Sequence, residues 1–494
     1  IYSGQDLDAK LQKGIDKLAN AVKVTMGPKG KLVLIHRPGL HPIVTKDGVT
    51  VAQAINLVDE VENLGAQIIK ESASRTAEEA GDGTTTATVL AQYIYNEGLK
   101  YKTAGFDVIQ LKEGIELARG ILISEISKAA REVNDSDDLL KVATISANGE
   151  KEIAKLIVDA IDAAGPDGHV IVEEAKGFDS SLQVVDGFQM ERGFLSPYFV
   201  TDKNKMTAEF DKPLIMMADR SFNSVRELMK PLEIALEMGR PIIVVGTRHD
   251  MLLDLESIVG GKVLDSSFDM TSFEPEMFGT CKKMIIQKSK TLVIKDTERS
   301  EPTQERMNII KDRLGYPGLS DNERELLRFR IQQLSGGISI LRVGAATESE
   351  LIERYDRVDD ALHATRAALE EGVLPGGGIA LHRLANKLVD YDITQKDKSF
   401  VAGFRLLIAA CSIPFKQILD NAGLSHYKVL NELKESKDDF GYDVRNKKFG
   451  DMFELGVLDP AKVSRCAIEN AVSAATMLLL ADCSLIEVNS GQND

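Results

Sequence analysis

The hydrophobic pattern changes twice along this chain, from helical to mixed and back to helical. Near the start, apolar residues three or four positions apart predict an amphipathic helix that ends at Gly27-Pro28; they are Leu7, Leu11, Ile15, Leu18 and Val22. Further helical patterns cover 57–78, 86–100, 106–132, 137–144 and 150–163, and long helical patterns dominate again after 348. Such a chain folds either as a split helical body with an inserted middle or as domains in succession. Periodicity alone leaves both open.

The middle of the chain carries extended, β-branched segments. Strands are predicted at 169–173, 182–185, 214–217, 241–245, 283–287 and 291–294, with a helix over 223–238. The segment 303–334 is again charged and helical. Gly187 and Gly336-Gly337, at the two ends of this block, are interpreted as hinge glycines. A length of 494 residues suits about three domains, so the predicted fold class is a multidomain protein of α and α/β domains.

Charge and cysteine usage narrow the classes of function. Lys and Arg total 60 against 76 Asp and Glu, a net charge of −16, whereas nucleic acids and anionic membranes attract basic surfaces. We therefore expect no nucleic-acid or membrane partner. Four scattered cysteines are each expected to be a buried apolar side chain in a reducing compartment: Cys281, Cys411, Cys466 and Cys483. The longest apolar run, 471–481, is too short to cross a bilayer, and the expectation is a soluble, intracellular protein.

Three glycine-rich turns are the candidate ligand sites, because the sequence has neither a Walker A loop nor a GxGxxG motif. They lie at 27–30, at 82–86 and at 376–378. The second, Asp82 followed by Gly83 and three threonines, begins a predicted helix, where free N–H groups, hydroxyls and a carboxylate suit phosphate and Mg²⁺. A helix N-cap without any ligand explains the same residues equally well.

A second acidic feature lies far along the chain, at Asp359-Asp360. A carboxylate here could orient a water that attacks a phosphate, although two aspartates on a helix are more often a solvated face. Sequence spacing cannot bring Asp360 beside Asp82.

Taken together, several segments resemble the group I chaperonins, the GroEL-like family, in order over nearly the whole chain. They are 21–30, 45–51, 80–91, 144–148, 343–347, 360–368 and 456–463. The resemblance implies a chaperonin subunit with a mostly helical split equatorial domain (1–128 and 371–494), a small split intermediate domain (129–186 and 338–370) and a central α/β apical domain (187–337). It also implies a homo-oligomer built as a heptameric ring, single or double.

The resemblance further implies an ATP site that uses Mg²⁺ and K⁺. The residues that would contact nucleotide are Thr25, Gly27, Pro28, Asp82, Gly83, Thr84, Thr85, Thr86, Ile145, Gly377, Asp443 and Asp459. Asp82 would hold Mg²⁺, and the carbonyls of Thr25 and Lys46 with Thr85 would hold K⁺. Asp47 and Asp360 would be the hydrolytic carboxylates, with Asp360 delivered by closure of the intermediate domain. Position 443 departs from the family, which usually has Asn there.

The same resemblance implies an apolar surface for non-native client proteins. Its residues would be Phe194, Leu195, Tyr198 and Phe199, with Met229, Leu232 and Leu236 on the helix over 223–238. After Val245 the chain passes within a few residues to 248–258, where the family has a second apical helix and a further strand. That helix forms one wall of the groove shared by clients and a co-chaperonin. Either this protein lacks the wall or the printed sequence omits a segment, and we prefer the omission.

The sequence therefore predicts an ATP-dependent chaperone that binds non-native proteins in a ring cavity and promotes their folding through ATP hydrolysis. The expected compartment is the cytoplasm of a bacterial or virus-infected bacterial cell, with an organelle matrix as an alternative, and a co-chaperonin is left open. A nucleotide-responsive holdase ring without a productive capped cycle is the alternative function. A small-molecule kinase is a weaker one, because no acceptor-substrate site is recognisable.

Overall fold

The computed structural model describes the chain except residues 37–41, 134–135, 148, 165–168, 176, 191, 203–205, 223, 296–300, 317–318, 336, 394, 435 and 487–494. The chain forms two compact units. One combines the two ends, Ile1–Val158 and Ala345–Asp494, and the other is the middle, Asp159–Gly344. The division into five segments given above is finer than these two units and stays a prediction.

The two units are built from helices and strands with the following bounds. The helices are α1 Gly4–Val22, α2 Gly48–Ala54, α3 Glu60–Ala80, α4 Thr84–Thr103, α5 Val108–Ala129, α6 Ser136–Ser146, α7 Lys151–Ala164, α8 Met229–Met238, α9 His249–Val259, α10 Glu301–Leu314, α11 Asp321–Ser335, α12 Glu348–Glu371, α13 Ile379–Lys387, α14 Lys398–Ala410, α15 Ile413–Asn421, α16 His426–Leu433 and α17 Ala461–Leu480. The strands are β1 Tyr2–Ser3, β2 Val33–Ile35, β3 Ile43–Thr45, β4 His169–Glu174, β5 Ser181–Met190, β6 Ala208–Asp211, β7 Leu214–Ala218, β8 Ile242–Val245, β9 Val263–Leu264, β10 Gly279–Thr280, β11 Lys283–Ile286, β12 Thr291–Ile294, β13 Gly337–Val343, β14 Val373–Pro375, β15 Phe440–Asp443, β16 Lys448–Asp451, β17 Leu458–Pro460 and β18 Cys483–Ser484.

The unit formed by the chain ends is a helical body around one large apolar core. The stripe of α1, from Leu7 to Val22, is buried there against apolar side chains of α3, α4, α5, α14 and α17. Asp59 and Asp107 cap the N-termini of α3 and α5 by accepting hydrogen bonds from backbone N–H groups of the first turn. Four antiparallel strand pairs lie at the edges of this body: β1–β18, β2–β3, β14–β17 and β15–β16.

The middle unit contains two sheets. The larger has the order β4-β13-β5-β12-β11-β6, in which the β4–β13 pair is parallel and the other pairs are antiparallel. In the smaller sheet β7 pairs with β8, β9 and β10. Apolar side chains of β5, β7, β11 and β12 pack with those of α9, α10 and α11. Within this layer, Asp254 of α9 is buried and accepts hydrogen bonds from Arg306 and Arg330, which neutralises its charge.

Several sequence predictions need correction. The first α-helix ends at Val22, not at Gly27, because the chain tightens into a 3₁₀ turn over Lys23–Thr25. The single helical segment at 303–334 is two helices, α10 and α11. Cys281, Cys411 and Cys466 are buried, but Cys483 is exposed because it lies in the short strand β18.

The glycines interpreted as hinges belong to the larger sheet. Gly187 lies within β5, where a Cβ would come within 1.9 Å of the Ile338 side chain of β13, so the glycine provides packing space. Gly337 begins β13, and Gly336 lies outside the described residues. The middle unit also extends beyond the predicted apical boundaries, because β4, β5 and β13 belong to one sheet.

Between β8 and α9 the chain contains no additional helix. Three residues, 246–248, connect β8 to α9. In the sequence as printed, the second apical helix expected from the resemblance is therefore not replaced by another element between β8 and α9.

Two helical stretches in the described chain are long and apolar enough to cross a membrane: Lys398–Asn421, which comprises α14 and α15, and Ala461–Leu480, which is α17. Their most apolar windows are 72% and 67% buried within the protein. Both contribute side chains to the apolar clusters of the helical body, which is the ordinary environment of core helices.

Candidate nucleotide site

A cleft of about 960 Å³ lies within the unit formed by the chain ends. All three glycine-rich turns border it, and so does α12 with Asp360. Every residue predicted for nucleotide, metal or hydrolysis lines this one cleft: Thr25, Gly27, Pro28, Lys46, Asp47, Asp82, Gly83, Thr84, Thr85, Thr86, Ile145, Asp360, Gly377, Asp443 and Asp459. The fold thus brings together residues that are more than 400 positions apart in sequence.

The floor of the cleft is the N-terminus of α4. Gly83 has φ +89° and turns the chain from Asp82 into the helix, whose first residues are Thr84, Thr85 and Thr86. The backbone N–H groups of this first turn have no partner within the helix and point toward the cleft, where they can donate to phosphate oxygens. The Asp82 carboxylate already accepts a hydrogen bond from the backbone N–H of Gly83.

Carboxylates crowd this end of the cleft and raise one another's pKa. Burial and then repulsion from Asp82 and Asp47 raise the pKa of Asp360 well above its ordinary value. Burial is also the main cause of the raised pKa of Asp82, to which Asp47 adds. The pKa of Asp459 is raised in the same way, although the backbone N–H groups of Gly378 and Gly377 oppose the shift. A site with this excess of negative charge favours a bound cation.

The residues present fit the predicted Mg²⁺. Among the described residues, no three His, Cys, Asp or Glu side chains converge as a complete metal site. Mg²⁺ commonly takes one or two carboxylates and completes its shell with phosphate oxygens and water. Asp82, beside the N–H groups that suit phosphate, is the side chain for that role.

Two glycines approach the residues predicted for K⁺ closely: a Cβ at Gly30 would lie 1.9 Å from the carbonyl oxygen of Thr25 and 2.9 Å from Cε of Lys46. A Cβ at Gly48 would lie 2.2 Å from the Thr85 hydroxyl oxygen, so this oxygen borders the N-terminus of α2. Asp47 caps that helix and accepts hydrogen bonds from the backbone N–H groups of Val49 and Thr50. Thr25 is buried, and its own hydroxyl donates to the carbonyl of Val22, so its carbonyl is the ligand atom that the prediction uses.

The cleft also has apolar lining residues. Ile145, Pro414, Phe415, Ile418 and Leu455 are suited to the flat face of a base. Asp443 lines the cleft as well. Both of its carboxylate oxygens accept hydrogen bonds inside the β15–β16 turn: one from the backbone N–H groups of Arg445 and Asn446, the other from the Asn446 amide. Asp443, which stands where the family usually has Asn, therefore stabilises the hairpin through these hydrogen bonds.

Charged side chains to which the sequence analysis gave no role also line the cleft. Asp356 lies one helical turn before Asp360 on α12, and burial with repulsion from Asp47 raises its pKa to about 6. Arg357 of the same helix forms ion pairs with Glu150 and Glu353. Burial and then Arg445 lower the pKa of the Lys46 ammonium. The four-residue spacing of Asp356 and Asp360 is a signal that the sequence offered; no signal in the sequence pointed to Arg445.

The residues predicted to bind clients all lie in the middle unit. Leu195 and Tyr198 are 96% and 98% exposed, Phe199 is also exposed, and Phe194 is half-buried. On α8, Met229 and Leu236 are exposed while Leu232 is half-buried. These apolar side chains are thus mostly available at the surface and are not ordinary core.

Comparison with known proteins gives a consistent result. The family model described as the TCP-1/cpn60 chaperonin family matches residues 18–235 and 233–488. Among solved structures, the chain is similar to the chaperonin gp146 from the bacteriophage EL 2 (Pseudomonas aeruginosa), crystallised in the presence of ATP-BeFx. One crystal form matches with a TM-score of 0.72 at 22% identity, covering 97% of this chain and 98% of that one. A second form gives a TM-score of 0.67 at 22% identity, covering 98% and 99%. At this identity the likeness concerns the fold.

Proposed function

The chain belongs to the TCP-1/cpn60 chaperonin family, and on that premise we propose that it is the subunit of an ATP-driven chaperone that captures non-native proteins and promotes their folding. The observation that carries this proposal is the common cleft of Asp82 and Asp360, which come from opposite ends of the chain. Phosphate-binding groups and hydrolytic carboxylates in one cleft are what an ATPase needs. The phage chaperonin with the same fold was crystallised with ATP-BeFx, which supports the choice of nucleotide.

The residues have distinct roles in the proposed hydrolysis. The first turn of α4 and the Gly27 turn would bind the phosphate chain, and the apolar lining residues of the cleft would bind the base. Asp82 would hold Mg²⁺, and the carbonyls of Thr25 and Lys46 with the Thr85 hydroxyl would hold K⁺. These cations would supply positive charge against the phosphate oxygens.

Asp47 and Asp360 are the proposed hydrolytic carboxylates. The oxygen of a water attacks the γ-phosphorus, the bond from that phosphorus to the bridging oxygen breaks, and ADP leaves with the bonding electron pair. The water proton passes to the Asp360 carboxylate and then to solvent. The Asp360 carboxylate lies near Asp82 and Asp47 in the cleft, a position from which a general base can take that proton.

The assembly that we propose is a heptameric ring of identical subunits, single or double, with non-native proteins as clients in its cavity. The exposed side chains Leu195, Tyr198, Met229 and Leu236 support an apolar client-binding surface. The cytoplasm of a bacterial or phage-infected bacterial cell is the proposed compartment.

The test compares wild type with Asp360→Ala for ATP hydrolysis and for refolding of a chemically denatured client, with Mg²⁺ and K⁺ present. We expect hydrolysis to fall about 100-fold or more, as for loss of a general base, and the ATP-dependent refolding yield to fall with it. Asp359→Ala is the matched control, because Asp359 is the next residue on α12 but does not line the cleft. Equal hydrolysis in wild type and Asp360→Ala would contradict the proposal.

A nucleotide-responsive holdase is a second candidate, favoured by one observation. The direct connection from β8 to α9 leaves no second apical helix in the described chain, and the resemblance assigns one wall of the client and co-chaperonin groove to that helix. A holdase would capture the denatured client normally but give no ATP-dependent recovery in wild type. Recovery that requires ATP would dismiss it.

A further inference from the structure

Arg445 belongs to the β15–β16 hairpin and is one of the residues that line the nucleotide cleft. Its backbone is fixed, because the buried carboxylate of Asp443 accepts hydrogen bonds from the N–H groups of Arg445 and Asn446 at 2.8 and 3.1 Å. The side chain is exposed and lines the cleft. The hairpin thus holds a long cationic side chain in a set direction.

The guanidinium of Arg445 lies in a space that a glycine leaves open on another element. Gly149, between α6 and α7, has φ +89°, and a Cβ there would lie 2.1 Å from Nη1 of Arg445 and 3.2 Å from its Cζ. Any other residue at position 149 would therefore displace the guanidinium. This close approach defines where the charge is.

The position of Gly149 indicates which end of the cleft the guanidinium faces. Glu150, the next residue, forms an ion pair with Arg357 of α12, the helix that also carries Asp360. Arg445 is also close enough to the Lys46 ammonium to lower its pKa, and Lys46 precedes Asp47 in the chain, so the guanidinium lies near the proposed hydrolytic carboxylates, with Arg357 as a further cation in the same cleft. Cations on this side are suited to the phosphate chain of a nucleotide, and the planar guanidinium can donate two parallel hydrogen bonds to phosphate oxygens.

We propose that Arg445 binds the phosphate chain of the nucleotide in the cleft, with its guanidinium in the space that Gly149 leaves open. The inference rests on the proposed function, since it assigns an additional contact to the same nucleotide site. Arg445 is then a specificity residue: it favours nucleotides with phosphates over the nucleoside. Asp443 acts through it by fixing the turn.

The test measures the affinities of wild type, Arg445→Gln and Lys448→Gln for AMP-PNP, ADP and adenosine, with Mg²⁺, by calorimetry. Because Arg445→Gln removes one charged hydrogen-bonded contact at an exposed position, we expect it to lower the affinities for AMP-PNP and ADP about 10-fold. Adenosine binding should not change, because it has no phosphate. Lys448 is an exposed cation of the same hairpin that does not line the cleft, so Lys448→Gln should leave all three affinities unchanged.

A second variant tests the space beside the guanidinium. Gly149→Ala should lower the affinity for AMP-PNP by a similar factor. When Gly149→Ala is combined with Arg445→Gln, it should cause little further loss of affinity, because the guanidinium that the methyl group would displace is no longer there. Thermal unfolding of each variant checks that the fold is intact. If Gly149→Ala does not fold, the comparison of Arg445→Gln with wild type still tests whether Arg445 binds phosphate.

Two results would overturn the assignment: unchanged affinities in Arg445→Gln, or an equal loss for adenosine, which would indicate a contact with the base or ribose. If wild type binds none of the three ligands, it is the proposed ATP site that fails.

Discussion

His382 of α13 is a partly buried histidine whose surroundings favour the neutral ring. Its Nδ1 lies 2.8 Å from the Ser412 hydroxyl oxygen, and its Nε2 lies 3.0 Å from the amide nitrogen of Asn386. Because an amide nitrogen donates, Nε2 is the acceptor and the proton is on Nδ1. Burial and then the charges of Lys416 and Arg383 lower the pKa of His382 to about 4.

This lowered pKa predicts that the protein loses stability between about pH 6.5 and pH 4. In that range the unfolded chain binds a proton at His382 and the folded chain does not, so the free energy of unfolding decreases as the pH falls. Above pH 6.5 both states are neutral and the contribution is constant. One pKa unit corresponds to about 1.4 kcal/mol, and because the ring is partly exposed we expect a total effect of about 2 kcal/mol.

The measurement is the free energy of unfolding in urea at several pH values, for wild type and His382→Gln. Carboxylates in the cleft, such as Asp356, have raised pKa values and change stability with the opposite sign, so only the difference between the two proteins is informative. That difference should shrink as the pH falls from 7 to 5. A difference that does not depend on pH would mean that His382 titrates alike in both states.

At the scale of single residues, the sequence indicates what a side chain can bind better than it indicates which groups surround that side chain. Asp82 and its three threonines were recognisable as candidate phosphate ligands because their spacing at a helix start has a physical meaning. Asp443 stays a predicted nucleotide contact, and the sequence did not show that its carboxylate also accepts hydrogen bonds within its own turn. The pair of Arg445 and Gly149 gave no signal, since only the fold brings positions 445 and 149 into contact.

At the scale of elements, α5 and α14 cross closely in the core of the first unit. Gly114 of α5 is a point of close approach: a Cβ there would lie 2.0 Å from the carbonyl oxygen of Phe400 and 2.9 Å from the backbone nitrogen of Phe404. Backbone atoms cannot move aside as a flexible side chain can. The glycine therefore fixes the distance between the two helices.

Gly114→Ala is expected to destabilise the protein by about 3 kcal/mol, because the added methyl group must push the helices apart. Gly120 of the same helix offers the matched control, since a Cβ there meets nothing within 4 Å. Gly120→Ala should stabilise the protein by about 0.5–1 kcal/mol through helix propensity. Urea unfolding of both variants checks the pair, and equal stabilities would show that the crossing adapts freely.

Helices and strands were predicted correctly where the apolar periodicity of the sequence itself forms the buried face of the element. The helices at 57–78 and 86–100 and the strands at 214–217 and 291–294 match observed elements within a few residues, because their apolar periodicity creates the buried face. The split of 303–334 into α10 and α11 was missed, since charged helical sequence continues on both sides of the break. The packing role of Gly187 was missed because space for Ile338 in a neighbouring strand is invisible in one strand's sequence.

At the scale of the whole molecule, the assembly of the cleft is what sequence reasoning could not derive. Residues from Thr25 to Asp459 line it, and no periodicity relates positions so far apart. Only the family resemblance, carried by motifs in a fixed order, predicted that they meet. The same resemblance predicted exposed apolar residues in the middle unit, where composition alone would have made them core.

Substitution of exposed apolar side chains in the middle unit should weaken client capture without changing ATP hydrolysis. Leu195 and Tyr198 are almost fully exposed, so replacing both with Ser costs little folding stability but removes apolar area that a non-native protein could cover. We expect capture of a denatured client to weaken about 100-fold, at roughly 1.5 kcal/mol for each of the two lost side-chain contacts. ATP hydrolysis should stay close to that of wild type, since the cleft belongs to the other unit.

Light scattering of the aggregating client measures this capture, and Tyr316→Ser is the control, an exposed aromatic side chain of the same unit outside the predicted surface. Unchanged capture in the Leu195→Ser/Tyr198→Ser protein would mean that clients bind elsewhere. A loss of hydrolysis without client would mean that the substitutions act on the cleft itself. Weakened capture with intact hydrolysis would establish that the two chemistries, apolar binding and phosphate cleavage, belong to different units of one chain.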